Sequence, residues 1–536
     1  MNGMPKTIYL TTPLYYVNAA PHIGHSYTNI AADCLARYYR LKGASVFLLT
    51  GTDEHGQKIE QAAIASGQTP QAFVDHVVQQ FTRLWTMLNI RYDDFIRTTQ
   101  PRHISAVQAI LTKLKDESKL KRDSYQGWYC TPDETFWTEA ELAQSARVSG
   151  APVCPTCQRP LEPIQETGWH LPLREAQPWL INFVKAHPTC IQPQSRYNEL
   201  MSILEQPLPE SLCITRPRSR VTWGIPVPFD PEHVVYVWFD ALLNYITAPG
   251  YCDDPKRFAQ LWPADVHFIG KDILRHHALY WPIMLHAMGM SDDEMPKRIM
   301  AHGWWKVGEQ KMSKSLSNIV DPTVVIAEVL KGQPYAADIY RYFLLREIPF
   351  GQDGSFSEEA LLKRLGADLG NDLGNLVNRT LSMIERYCGG KIPTPTTVGC
   401  AVEDAPFQEM ALALAGRVDE AMQRIEFSGA LEAIMRVVSK ANSYIETVAP
   451  WKLAKQPEMA PRLRTVLMVL AEVVRIMTIT LEPFMPSVAE AIWQQLGCGT
   501  TPRRLADAAR WGILSSGQPI GAHPVLFPRQ ETSAPS

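Results

Sequence analysis

The chain has 536 residues, 46% of them hydrophobic and 20% charged, and a formal charge of −3. That length supports several domains, and the composition is that of an ordinary globular protein, which excludes a disordered or fibrous chain. No stretch approaches about 18 uninterrupted apolar residues, and the amino terminus lacks a charged region followed by an apolar core, so a cytoplasmic protein without a membrane partner is expected.

In chain order, Ile8-Tyr9-Leu10 is a β-prone run that breaks at Pro13, and Pro21-His22-Ile23-Gly24-His25 follows. Ile30, Ala31, Cys34, Leu35 and Tyr38 recur at helical spacing, predicting a helix from Ser26 through Leu41 that Gly43 ends. Val46 to Leu49 reads as a buried strand running into Gly51-Thr52-Asp53-Glu54-His55-Gly56. Strand, helix, strand with short connections opens an α/β doubly wound parallel sheet of Rossmann type, whose ligands sit beyond the carboxyl ends of the strands. The pattern resumes at Val266 to Ile269, which ends in Gly270-Lys271-Asp272, and continues through a helix to about Met288 and a strand at Ile299 to Ala301.

Between these halves, roughly Asp116 to Thr222 reads as an insertion rich in Pro, Cys and Trp. Past Ser357 long helical patterns take over, and Val466 to Ile479 is apolar enough to be buried in a bundle. The expected organisation is a first catalytic half over 1–115, a connective insertion over 116–225 and a second catalytic half over 226–330. A connecting segment over 331–360, a helical domain over 361–515 and a loose tail over 516–536 complete it.

Within the insertion, Cys130-Thr131-Pro132-Asp133 and Cys154-Pro155-Thr156-Cys157 are two pairs at knuckle spacing, since each short turn aims both side chains at one tetrahedral ion. Ten cysteines in a chain of this length do not make a disulfide scaffold. The set Cys130, Asp133, Cys154 and Cys157 therefore reads either as a zinc knuckle with one carboxylate ligand or as a degenerate knuckle with buried thiols. In the helical region Asn371, Asn375, Asn378 and Arg379 form a polar stripe, with Leu369, Leu373, Leu376 and Thr380 opposite. Asparagine is a poor helix former, so this stripe suggests a use for amide donors and acceptors, such as the base edges of an unstacked loop.

About 290 residues after the histidine string comes Lys311-Met312-Ser313-Lys314-Ser315. The two strings together resemble the paired ATP-binding signatures of class I aminoacyl-tRNA synthetases. Thr12-Pro13-Leu14-Tyr15-Tyr16-Val17-Asn18, Tyr236-Val237-Trp238-Phe239-Asp240-Ala241 and Phe268-Ile269-Gly270-Lys271-Asp272-Ile273 look like those of the methionyl-tRNA synthetase family. The resemblance runs from Thr7 to about Trp493.

The resemblance implies ATP with Mg2+, methionine, and initiator and elongator tRNA(Met) as partners, and methionine–tRNA ligase as the activity. It assigns His22, His25, Lys311 and Lys314 to catalysis on the phosphates, and Gly24, Gly270, Asp272 and Arg220 to ATP binding. Leu14, Tyr16, Trp238, Ala241, Tyr245, Ile273 and His277 match the methionine pocket, and Asp53 the group that binds the α-amine. Aromatic rings favour a polarisable thioether by up to roughly 1.5 kcal/mol. Leu242 stands where the family often has proline, so that wall of the pocket departs from the pattern. Asn375, Arg379 and Trp451 match the readers of the anticodon, the helical domain the anticodon-binding domain, and any zinc a structural role.

No separate editing domain is visible, and the family's removal of homocysteine by cyclising its adenylate is expected here. A monomer is expected. The alternatives are a class I synthetase for another amino acid such as cysteine, disfavoured by Trp238 and Tyr245, and a catalytically silent homologue that binds tRNA.

Overall fold

The computed structural model describes residues 7–529 except 138, 140–141, 143–144, 149, 156, 308–309, 312–318, 396–400 and 403, and the side chains of 310 and 311 also lie outside the description. Two compact units emerge, one from residues 1–21, 45–85 and 91–303 and the other from 22–44, 86–90 and 304–536. They are cut differently from the expected segments, since 22–44 and 304–330 fall in the second unit.

The first unit is built on a six-stranded parallel sheet of β1 (Ile8–Tyr16), β2 (Val46–Asp53), β3 (Asp94–Arg97), β4 (Ile191–Gln192), β5 (Val266–Gly270) and β6 (Ile299–His302). The order is β3-β2-β1-β5-β6-β4, the doubly wound arrangement with its switch point between β1 and β5. Strands buried on both faces read as continuous apolar runs, which is why Val266 to Ile269 could be found by eye. β4 has two residues and was not visible in the sequence, so a segment expected wholly in the insertion supplies the edge of the catalytic sheet.

β1 does not end at Pro13. Leu10 pairs with Leu48, the register slips between Thr11 and Leu14, and the strand resumes with Leu14 opposite Gly51 and Tyr16 opposite Asp53. Proline has no N–H to give to the ladder, so it is accommodated by an irregularity that re-aims the remainder of the strand. That slip sets Tyr16 beside Asp53.

The inserted segment forms an antiparallel sheet from Lys121–Cys130, Thr135–Trp137, Glu162–Pro172 and Ser211–Cys213. A small apolar cluster of Trp137, Leu142 and Leu161 packs with Cys130 and Cys154 beneath the knuckle.

In the second unit, α1 (Ile23–Leu41), α2 (Ala336–Arg346), α3 (Asn375–Cys388), α4 (Phe427–Val448) and α5 (Ala460–Leu481) are the main helices. Val466 to Ile479 of α5 are buried throughout. Arg341 is fully buried, yet its guanidinium lies 2.7 Å from Asp33 of α1 and donates to the carbonyls of Leu88, Pro483 and Phe484. Each of the three guanidinium nitrogens thereby has a partner, the condition for burying an arginine.

The tail expected to be loose is docked as far as residue 529. Ile392 N–H donates to Gln518 O (2.8 Å), Ile520 N–H to Gly390 O (2.9 Å), and Leu526 and Phe527 are buried. Polar composition hid a segment held by main-chain hydrogen bonds.

Candidate active site and metal knuckle

His22 is the N-cap of α1, and its Nδ1 accepts from Gly24 N–H at 3.1 Å. His25 sits three residues on, and its Nδ1 accepts from His22 N–H at 3.0 Å. The two imidazoles thus form a reciprocal capping box, with ring centroids 3.9 Å apart. An Nδ1 that accepts carries no proton, so both rings are neutral tautomers bearing their N–H at Nε2. A Cβ on Gly24 would lie 2.9 Å from His22 Cε1, so the glycine is required by the cap itself. Lys311 ends a short strand, Gln310–Lys311, paired with Trp305–Val307. Its side chain, and all of Lys314, lie outside the described residues.

In the first unit the carboxyl ends of β1, β2 and β5 carry Tyr16, Asp53 and Gly270. Asp53 is 5% exposed and its Oδ1 has no hydrogen-bond partner among the described residues. Its carboxyl is held well above the usual carboxylate range, by burial first and then by Asp240, Glu134 and Glu54. The Tyr16 hydroxyl donates to His55 O (2.8 Å) and lies 3.3 Å from Glu134. Leu14 and Ile273 are half-buried, and Ala241 is buried. Trp238 donates its indole N–H to Asp133 O at 3.3 Å.

Tyr245 is fully buried and its hydroxyl meets His277 Nε2 at 2.8 Å, while His277 Nδ1 lies 3.0 Å from Ile273 O. Burial lowers the His277 pKa to about 4, so the ring is neutral. A Cβ on Gly270 would fall 2.6 Å from Asp272 Oδ1, so a side chain there would displace the Asp272 carboxylate. Arg220 is half exposed and stands 3.6 Å from Glu166, which also pairs with Arg216.

Several residues of this region were not singled out by the sequence reading. Asp240 lies within the quoted Tyr236 to Ala241 string but received no role. It is buried between His55 Nδ1 (2.7 Å) and His103 Nε2 (2.6 Å). Burial pushes its carboxyl up, but His55 and His103 outweigh that and hold it below the usual range. Glu134, next to a knuckle residue, is buried and accepts from Lys58 N–H (2.9 Å) and from the Tyr129 hydroxyl. Gly56 adopts φ 105°, and a side chain there would collide with the Tyr16 hydroxyl. His276 stacks on Trp238 with centroids 3.7 Å apart and planes at 18°. Its only sequence signal was its place between Arg275 and His277.

The ligand atoms of Cys130, Asp133, Cys154 and Cys157 all lie within 4.8 Å of one another. Cys130 Sγ is 3.4 Å from Cys157 Sγ and from Asp133 Oδ2, and Cys154 Sγ is 3.2 Å from Asp133 Oδ2. Zinc–sulfur bonds of about 2.3 Å at tetrahedral angles require sulfurs about 3.8 Å apart, so the donors fit zinc with small adjustment. Hydrogen bonding among the sulfurs raises the Cys130 thiol, and burial raises the Asp133 carboxyl. Both shifts reflect the cost of ionising these groups side by side, a cost that a cation bound among them would offset.

In the helical region the polar stripe faces outward and Leu369, Leu373, Leu376 and Thr380 are buried. The helix is not uniform, however: Leu365–Gly374 is π-helical, and Asn375 begins α3. The Arg379 guanidinium lies 5.6 Å from the centre of the Trp451 ring and 2.8 Å from Glu446. Ala449 ends α4 at φ 47° and turns the chain so that Pro450 and Trp451 start a new helical turn.

The family model described as tRNA synthetases class I (M) matches residues 8–381, and that for the anticodon-binding domain of tRNA ligase matches 411–512. These two matches define a class I synthetase with an anticodon-binding domain. Methionine–tRNA ligase of Caldanaerobacter subterraneus is 45% identical over 527 residues, covering 98% of this chain and 79% of that protein. The Bacillus subtilis methionine–tRNA ligase is 42% identical, covering 98% and 78%. The solved Mycobacterium tuberculosis methionyl-tRNA synthetase in complex with methionyl-adenylate superposes with a TM-score of 0.92 at 40% identity, covering 98% of this chain and all of that one. The chain belongs to the methionyl-tRNA synthetase family.

Proposed function

We propose a division of labour for the methionine–tRNA ligase reaction that family membership assigns to this chain. The observation that carries it is the buried Asp53 Oδ1, which lacks a partner among the described residues and stands beside Tyr16 at the ends of β1 and β2. A buried acceptor without a donor is costly, and an α-ammonium group answers it. Tyr16, Trp238, Ala241, Tyr245, Ile273, His277 and Leu14 surround the rest of the amino acid with rings and aliphatic carbon.

The methionine carboxylate oxygen attacks the ATP α-phosphorus, and the bond to the bridging oxygen breaks as pyrophosphate leaves. His22 and His25 donate their Nε2 protons to phosphate oxygens, and Lys311 and Lys314 add positive charge as it develops on the leaving group. Gly270 and Asp272 meet the adenosine ribose, Arg220 the phosphates, and Mg2+ accompanies them as part of the substrate complex. In the second step the terminal ribose hydroxyl of tRNA attacks the methionyl carbonyl and AMP leaves. No side chain need form a covalent bond, since positioning and charge carry both steps.

Asn375, Arg379 and Trp451 recognise the anticodon through amide edges, a cation and a stacking surface. Cys130, Asp133, Cys154 and Cys157 would hold a zinc ion, which would supply a structural cross-link.

ATP–pyrophosphate exchange measured with each amino acid separately tests this reading. Exchange dependent on methionine alone is expected. Exchange with a different amino acid overturns the substrate, and silence in folded protein overturns the enzyme.

A further inference from the structure

The first turn of α1, which follows His22 and carries His25, can be traced hydrogen bond by hydrogen bond. A helix leaves its first amides without partners in its own ladder. Here Ile23 N–H donates to Val320 O (3.1 Å), Gly24 N–H to His22 Nδ1, and the N–H groups of His25 and Ser26 to His22 O (2.9 and 3.2 Å). Three of these amides are answered from within the turn. The first ties the turn to Val320, a short way past the lysine string.

A second tie comes from α2. The Tyr340 hydroxyl lies 2.8 Å from Ser26 Oγ, and both residues are fully buried. Ser26 Oγ also lies 2.9 Å from Ile23 O, which can only accept, so the single Ser26 proton points there. The Tyr340 proton must then point at Ser26 Oγ. Burial raises the pKa of this phenol, so the donor keeps its proton. A serine bonded back to a carbonyl of the preceding turn shapes the helix locally, and Tyr340 holds Ser26 in the rotamer that does so. One residue on, Arg341 pairs with Asp33, about two turns farther along α1. α2 therefore grips α1 at its first turn and again beyond it. A phenylalanine at 340 would fill the same space without a polar atom to desolvate, so what the hydroxyl adds is its hold on Ser26.

We propose that Tyr340 is a positioning residue for the adenylate-forming step, acting through Ser26 to fix where the His22 and His25 imidazoles meet the phosphates. This rests on the reading of those two rings as phosphate contacts. Tyr340 itself touches no reacting atom; it sets the orientation of groups that do. Orientation is sensitive, since a misplacement of about 1 Å can cost roughly 10²-fold in rate.

Methionine-dependent ATP–pyrophosphate exchange and thermal melting are measured on the full chain for wild type, Tyr340→Phe, Ser26→Ala, the double variant and Tyr38→Phe. Tyr38 is the control: it is buried on the same helix, and its hydroxyl donates to Asp419 about three turns beyond Ser26. In Tyr340→Phe the kcat is expected to fall about fivefold, a fraction of what a full misplacement costs. The KM for methionine should hold, because that pocket is built from residues of the first unit. Ser26→Ala should lose a similar share of kcat and melt lower, since it strands a fully buried phenol. Adding Tyr340→Phe to it should recover part of the melting temperature and cost no further kcat, and Tyr38→Phe should keep the wild-type kcat. An unchanged kcat in Tyr340→Phe, an equal loss in Tyr38→Phe, or a double variant whose losses multiply overturns the assignment. Wild-type exchange by His22→Asn overturns instead the reading of the histidines beneath it.

Discussion

The fold biases the Asp53 carboxyl toward its protonated form and fixes the tautomer of His22. Burial holds the Asp53 carboxyl above its ordinary range, so the ionised form destabilises the free protein at any pH above that raised value. The penalty shrinks as the pH falls below it and is gone only below the unfolded value of about 3.9. Asp53→Asn should therefore raise the melting temperature at neutral pH while abolishing methionine-dependent exchange. The proposed binding of the ammonium needs the ionised form, so in wild type the KM for methionine should climb on acidification at a higher pH than an ordinary aspartate, near about 3.9, would give. At His22 the cap uses Nδ1, and the phosphate contact proposed above would use Nε2. His22→Asn keeps an acceptor for Gly24 N–H but removes the Nε2 proton, so melting should be unchanged while exchange falls by roughly 10²-fold or more, as for a lost charge-stabilising donor. His22→Ala should lose both the activity and about 1 kcal/mol of stability. The spacing of two histidines about a glycine was legible in the sequence, but not its reason: the string is a capping box first, and that fixes where each proton resides.

Elements carry the next level of control. The slip of β1 at Pro13 sets Tyr16 opposite Asp53, and positive φ at Gly56 clears space for the Tyr16 hydroxyl. Gly56→Ala should displace that ring, raising the KM for methionine well before it affects ATP. In the second unit Ala449 occupies the left-handed region, which costs an L-residue about 1 kcal/mol. Ala449→Gly should therefore stabilise the α4 terminus modestly in a melting experiment. Long, strongly patterned elements were readable in advance, including β2, β5, the outward stripe of α3 and the buried length of α5. β4 was not, because two residues carry no periodicity, and neither were the π-helical stretches, whose spacing differs from a helix by a single residue. His55, His103 and Asp240 meet only through the fold, since 137 residues separate His103 from Asp240.

For the molecule as a whole, the resemblance and the comparisons agree on an enzyme with separate chemical and RNA-reading tasks. Arg379→Ala and Trp451→Ala should slow aminoacylation of tRNA while methionine-dependent exchange stays at the wild-type rate, because the first step needs no tRNA. Metal analysis of the purified chain should find one zinc, and Asp133→Cys should release it more slowly to a chelator, since thiolate suits zinc better than carboxylate. The KM for methionine should be little changed by Asp133→Cys. Trp238 hangs from the main-chain carbonyl of residue 133, not from its side chain. The side chain at position 133 can therefore change without touching the contact that holds Trp238, so aspartate or cysteine there would alter the affinity for a metal and leave the amino-acid pocket as it is.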